Sequence, residues 1–124
     1  MMRVTLYGTR GSVPAPGPET VRYGGNTSTV EVRGNDGTVL VLDAGTGIRR
    51  LGTQIPPDIA RVDILLTHLH MDHIQGLGFF GPLHHPGIDV HIWGPASSTL
   101  SLGARLTATF PHRFFPCTFA TSLA

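Results

Sequence analysis

Hydrophobic residues recur in short runs along this chain, and their alternation with polar residues predicts more strands than helices. Five runs predict strands, two by alternation (Arg3–Tyr7 and Ile88–Trp93), two by β-branched residues (Ser28–Arg33 and Thr38–Asp43) and one by apolar character (Val62–Leu66). The second and third strands flank Gly34-Asn35-Asp36-Gly37, a sequence that tolerates the positive φ angles of a tight turn, so together they predict a β-hairpin. The fourth run is almost continuously apolar, as is typical of a strand buried on both faces.

Three further segments are candidate helices, and in the last of them Leu100, Ala104 and Ala108 recur at helical spacing. The segments predict two short helices, at Ile48–Leu51 and Ile74–Phe80, and an amphipathic helix within Ser97–Thr109. Residues 110–124 have no clear period. The order of elements indicates the α+β class, with a mixed sheet and helices packed against one of its faces.

Composition narrows the function classes. A length of 124 residues fits one domain, and a formal net charge of +1 provides no strong field for a nucleic acid or an anionic membrane. No run approaches the roughly 18 apolar residues of a membrane span. Cys117 is the single cysteine, and the first residues lack the apolar run of a secretory signal, so a cytoplasmic setting is expected.

The stretch Thr-His-Leu-His-Met-Asp-His, 67–73, places three histidines and an aspartate directly after the fourth predicted strand. In an extended segment His68 and His70 leave the same side of the backbone, and Asp72 and His73 follow where the chain turns. Imidazole nitrogen and carboxylate oxygen are ligands that Zn²⁺ prefers. The spacing therefore favours a metal site over a chance grouping of surface histidines.

Other polar features allow two interpretations. The histidines outside the cluster are isolated, and each is more often a solvated or packed residue than a ligand; they are His84, His85, His91 and His112. The glycine-rich loops at 8–12 and 24–28 could hold a phosphate through backbone N–H groups, with Arg10, Asn26 and Ser28 as substrate-binding candidates. The alternative, which we weigh more heavily, is that glycine only permits sharp chain reversals there.

The motif His68-Leu69-His70-Met71-Asp72-His73 resembles the H-x-H-x-D-H motif of the metallo-β-lactamase-fold hydrolases. Upstream, Gly8–Ser12, Gly24–Ser28 and Leu42–Gly47 are similar to the branch that holds ribonuclease Z, the cyclic-nucleotide phosphodiesterases and the phosphodiesterase of phosphonate metabolism. The similarity extends from about Arg3 to Pro95.

The resemblance implies an αββα sandwich with two metal ions, zinc or alternatively manganese, at one edge. It places His68 and His70 on the first ion and Asp72 and His73 on the second, with Asp43 as a neighbour that holds the loop. A metal-bound hydroxide would then attack a phosphodiester, and Asp72 would also orient that water as the catalytic residue. A small phosphodiester is the expected substrate.

Members of this family also use histidine and aspartate ligands supplied well downstream of the first motif, and residues 74–124 contain no recognisable counterpart. We therefore expect residues 1–124 to be the N-terminal half of the sandwich, truncated at the C-terminus. Such a half would leave an apolar sheet face for a second copy or a completing chain. Two alternatives stay open, a non-catalytic metal-binding remnant and an RNA-processing enzyme of the ribonuclease Z type.

Overall fold

The computed structural model describes residues 1–112, so Cys117 and most of the aperiodic segment lie outside the described part of the chain. The strands are β1 (Arg3–Gly8), β2 (Thr29–Arg33), β3 (Val39–Leu42), β4 (Arg61–Leu65) and β5 (Asp89–Trp93). The α-helices are α1 (Ile48–Gly52), α2 (Met71–Ile74) and α3 (Leu102–Thr109). Short 3₁₀ turns occupy Pro18–Thr20, Leu77–Phe79 and Gly81–His84. All five predicted strands are confirmed, within two residues at their ends.

The five strands form one mixed sheet in the order β1-β2-β3-β4-β5. The first three strands pair antiparallel, whereas β3, β4 and β5 are parallel neighbours. The predicted hairpin is β2–β3, where Gly34 N–H donates to the Thr38 carbonyl at 2.9 Å and Gly37 has a φ of 86°. Asp36 Oδ1 accepts from Thr38 N–H at 3.0 Å. The α+β class and the mixed sheet are confirmed.

The second helix differs from its prediction. Instead of a helix over Ile74–Phe80, α2 begins at Met71, inside the histidine motif, and ends at Ile74. The chain then continues past Gly76 into a 3₁₀ turn. A Cβ on Gly76 would lie 2.0 Å from the Gly45 carbonyl oxygen, so the chain passes this point against the loop after β3 rather than in a regular amphipathic helix.

The third helix starts later than its apolar spacing indicates. Ser101 is extended, and its side chain accepts a hydrogen bond from Ala104 N–H at 3.1 Å, which caps α3 and sets its first residue at Leu102. No helix among residues 1–112 combines the length and the apolar character needed to cross a membrane.

The two faces of the sheet have opposite environments. The inner face carries Val39, Val41, Val62, Ile64 and Ile92, which pack with α1, α2 and α3 in one buried cluster. The outer face has a cross-strand row of apolar side chains at Leu6, Val30, Leu42, Leu65 and Trp93. Leu6 is 64% exposed and Leu65 and Trp93 are each 38% exposed. The helices therefore cover one face, as predicted, and the other is open in the described chain.

Candidate metal centre

The candidate site lies where two parallel strands end. Asp43 follows β3, and residues 67–70 follow β4, the adjacent parallel strand. The carboxyl ends of parallel strands meet at one edge of a sheet, and here Asp43 N–H donates to the Leu65 carbonyl at 2.9 Å. Two segments that are distant in sequence thus become neighbours.

The ring of His68 lies against those of the other two histidines of the motif. The His68 ring centroid is 4.5 Å from that of His70 and 4.1 Å from that of His73. His70 is extended and precedes α2, while Asp72 and His73 lie in its single turn. The turn expected after His70 is present, and His70 itself is extended.

Asp43 is the buried acid of this edge, with only 5% of its surface exposed. Its Oδ2 lies 2.8 Å from His73 Nδ1, a contact that leaves Nε2 of the same ring available as a ligand. Asp43 has a φ of 61°, a left-handed conformation that aspartate tolerates better than most residues. Asp43 thus lies between the end of β3 and His73, and the role that the resemblance gave it stays a prediction.

Asp72 lies on the other side of the His73 ring. Its Oδ2 is 3.3 Å from His73 Nε2. Two ligand atoms on one tetrahedral Zn²⁺ with bonds of about 2.0–2.1 Å stand about 3.3–3.4 Å apart. The separation of this oxygen and this nitrogen therefore suits a shared ion.

A backbone donor that the sequence did not reveal reaches the same carboxylate. Ser12 N–H donates to Asp72 Oδ2 at 2.9 Å, and Ser12 is itself left-handed, with a φ of 68°. This hydrogen bond holds the pKa of Asp72 below its ordinary value, aided more weakly by the neighbouring His73 and His68. The carboxylate is thereby kept in the ionised form that binds cations. The glycine-rich loop at 8–12 marked this region, but only the fold shows which N–H is used.

Thr67 is a second residue that the sequence analysis did not assign. Its backbone N–H donates to Asp43 Oδ1 at 2.8 Å, and its hydroxyl lies 3.0 Å from both Asp43 oxygens and from His68 Nδ1. The signal that could have pointed to it was its place directly before the motif. Thr67 connects the buried acid to the first histidine.

The three substrate-binding candidates make separate contacts and do not converge as a set. Arg10 Nε donates to the Val13 carbonyl at 3.0 Å, and the Ser28 carbonyl accepts from Gly45 N–H at 2.9 Å. Asn26 lines a largely apolar cavity of about 450 Å³ next to Met71, on α2. Of the three, Asn26 alone lines a cavity bordered by the helix of the motif.

The donor chemistry of the cluster fits a transition metal, since it offers imidazole nitrogens and an ionised carboxylate. As the side chains stand, however, no three His, Cys, Asp or Glu residues within 1–112 are arranged as a group that could hold an ion. The described chain provides one pair of suitably spaced ligand atoms, with two more imidazoles in ring contact. This is an incomplete ligand set of the right chemistry.

Comparisons with known proteins find relatives that are similar to part of the chain. A ribonuclease Z of Haloarcula marismortui is 40% identical over 76 residues, which are 61% of this chain and 22% of that protein. A ribonuclease Z of Mycobacterium marinum is 36% identical over 83 residues, 63% of this chain and 25% of that protein. An uncharacterized protein of Mycobacterium leprae is 36% identical over 110 residues, 83% of this chain and 35% of that protein.

Part of the chain is homologous to ribonuclease Z. The chain spans 22–35% of the length of these curated relatives. No family model matches it. The similarity suggests a metallo-β-lactamase-fold family, in agreement with the motif, and the branch within that family stays a prediction.

Proposed function

We propose that this chain carries the first metal-binding motif of a metal-dependent hydrolase of the metallo-β-lactamase type, acting on a phosphodiester bond. The observation that carries the proposal is the convergence of three imidazoles and one ionised carboxylate at the edge where β3 and β4 end. The homology to proteins named ribonuclease Z supports the phosphodiester as the bond attacked.

In this proposal His68, His70, Asp72 and His73 hold zinc, with manganese as the alternative. Such ions, when bound, act as Lewis acids that activate water near neutral pH and stabilise the negative charge developing on phosphorus oxygens. The chain itself keeps its ligands ready for this chemistry. Asp43 orients the His73 ring, and Ser12 N–H keeps Asp72 ionised and fixed in place.

Metal binding and turnover test the proposal together. We expect zinc-loaded protein to hydrolyse bis(p-nitrophenyl) phosphate, and we expect chelation, His70→Ala or Asp72→Asn to abolish the reaction. His84→Ala and Asp58→Asn are matched controls, because both side chains are exposed and lie outside the cluster. Folded, zinc-loaded protein without turnover would contradict the hydrolase proposal.

Stoichiometry separates the hydrolase from the non-catalytic remnant. Two equivalents of zinc per chain, lost in His70→Ala and retained in His84→Ala, fit a catalytic centre. A single weakly held equivalent without turnover fits a remnant, because the described ligand set is incomplete. Size-exclusion chromatography of the same samples shows whether two copies associate.

A ribonuclease is the second candidate, favoured by the names of the homologous proteins. A small phosphodiester remains our first expectation because the net charge is only +1, which gives little attraction for a polyanion. A labelled RNA oligonucleotide offered beside bis(p-nitrophenyl) phosphate decides between them. Cleavage of RNA at a much higher kcat/KM, falling steeply as salt rises, would reverse our ranking. The cytoplasm stays the predicted setting for either substrate.

A further inference from the structure

The hydroxyl of Thr67 lies between a buried carboxylate and the first histidine of the motif. Thr67 Oγ1 is 3.0 Å from Asp43 Oδ1, 3.0 Å from Asp43 Oδ2 and 3.0 Å from His68 Nδ1. The same Asp43 carboxylate contacts His73 Nδ1 directly at 2.8 Å. One acid thus reaches two imidazoles, one of them through a hydroxyl.

The protons in this chain of contacts can be assigned by counting donors. An ionised carboxylate only accepts hydrogen bonds, whereas a threonine hydroxyl has one proton to donate and lone pairs that accept. If the Thr67 proton were directed to His68, the hydroxyl oxygen would face both Asp43 oxygens at 3.0 Å without a proton between them. The Thr67 proton therefore goes to Asp43, and the hydroxyl oxygen accepts from His68.

This assignment fixes the tautomer of His68. To donate to the hydroxyl, its Nδ1 must carry the proton, which leaves the lone pair on Nε2. His73 is held in the same way, because its Nδ1 donates to Asp43 without an intermediary. Both rings are then set to bind a metal through Nε2.

We infer that Thr67 is a positioning residue. Its hydroxyl donates to Asp43 and accepts from His68 Nδ1, and this holds His68 as the Nδ1–H tautomer. Its consequence for metal affinity rests on the proposed function, whereas the tautomer itself does not. A purely structural role would need only the backbone, since Thr67 N–H already ties the turn after β4 to Asp43 Oδ1 at 2.8 Å. The hydroxyl adds the link to His68.

Two matched variants test this assignment in the metal-free protein. Thr67→Val keeps the shape and the backbone N–H but removes the hydroxyl, while Thr67→Ser keeps the hydroxyl. Long-range ¹H–¹⁵N spectra of the imidazoles, recorded where histidines are neutral and assigned with His68→Gln, report the tautomer. We expect Nδ1–H in the wild type and in Thr67→Ser, and a shift toward Nε2–H in Thr67→Val.

The opposite spectra would overturn the inference, whether His68 is already Nε2–H in the wild type or stays Nδ1–H in Thr67→Val. If the valine variant does not fold, Thr67→Ala also removes the hydroxyl and reports the His68 tautomer in its absence. Zinc titration adds the consequence, with Thr67→Val expected to bind about 10–100-fold more weakly and Thr67→Ser to bind as the wild type does. Equal zinc affinity in Thr67→Val and the wild type would count against the positioning role.

The two proposals fail separately. Wild-type protein that binds no zinc contradicts the proposed function, but its His68 tautomer still decides the inference. Conversely, zinc-dependent hydrolysis with an unchanged His68 tautomer in Thr67→Val would support the proposed function and contradict the positioning role of Thr67.

Discussion

A close approach of Gly76 to Gly45 holds α2 against the loop after β3. Gly76 N–H donates to the Ala44 carbonyl at 3.0 Å, and Ala44 N–H donates to the His73 carbonyl at 2.8 Å. A Cβ on Gly76 would lie 2.0 Å from the Gly45 carbonyl oxygen and 2.6 Å from Ile48 Cγ2. Gly76→Ala therefore forces these two segments apart at the base of the site.

The size of the effect follows from the contact. Cβ atoms essentially never approach closer than 3.0 Å, so the Gly45 carbonyl, which is backbone, must move by about 1 Å. Overpacking of this kind costs typically about 1–3 kcal/mol, and we expect the upper end because backbone cannot rotate away. Reduced entropy of the unfolded chain returns about 0.4–1 kcal/mol. The expected net loss is about 2 kcal/mol, or about 8 °C in Tm for a chain of this length.

Urea and thermal unfolding followed by circular dichroism measure this loss, and zinc titration measures its effect on the site. Gly11→Ala is the matched control, because a Cβ there meets nothing within 4 Å and its φ lies outside the left-handed region. We expect that control to unfold at or slightly above the wild-type midpoint. A Gly76→Ala protein within about 0.5 kcal/mol of the wild type would refute the reasoning.

Three further predictions concern the scaffold. Leu51 is fully buried and Leu6 is 64% exposed, so urea unfolding should show a loss of about 2–5 kcal/mol for Leu51→Ala and less than about 0.5 kcal/mol for Leu6→Ala. Ser101→Ala removes the cap of α3 and should cost about 1 kcal/mol in the same assay, whereas Ser101→Asp should retain most of it. The hydrogen bond from Arg61 holds the pKa of Asp63 below its ordinary value, so this carboxylate stabilises the fold above about pH 4 and loses that contribution as pH falls through the lower folded pKa. Asp63→Asn should therefore reduce the loss of unfolding free energy between about pH 5 and 2. The reduction should be less than about 1 kcal/mol, because Arg61 is half exposed. An equally steep decline in the variant would contradict this.

Local sequence features determined much of the scaffold. Alternation, β-branched residues and one nearly continuous apolar run located the five strands, and the turn residues at 34–37 identified the β2–β3 hairpin. The short spacing of His68, His70 and His73 indicated that their side chains cluster, and the His68 ring does contact the other two. Each of these features depends on side chains within a few positions of one another.

The tertiary structure alone decided how the candidate site is supported. Asp43 reaches His73 from 30 residues away and Thr67 from 24 residues away, because parallel pairing places the ends of β3 and β4 together. Ser12 N–H reaches Asp72 across 60 residues through the course of a loop. The end of α2 before Gly76 was set by its packing against the β3 loop, not by helical periodicity. A periodic pattern specifies which face of an element is apolar, whereas strand order and loop course specify which distant donor meets which carboxylate.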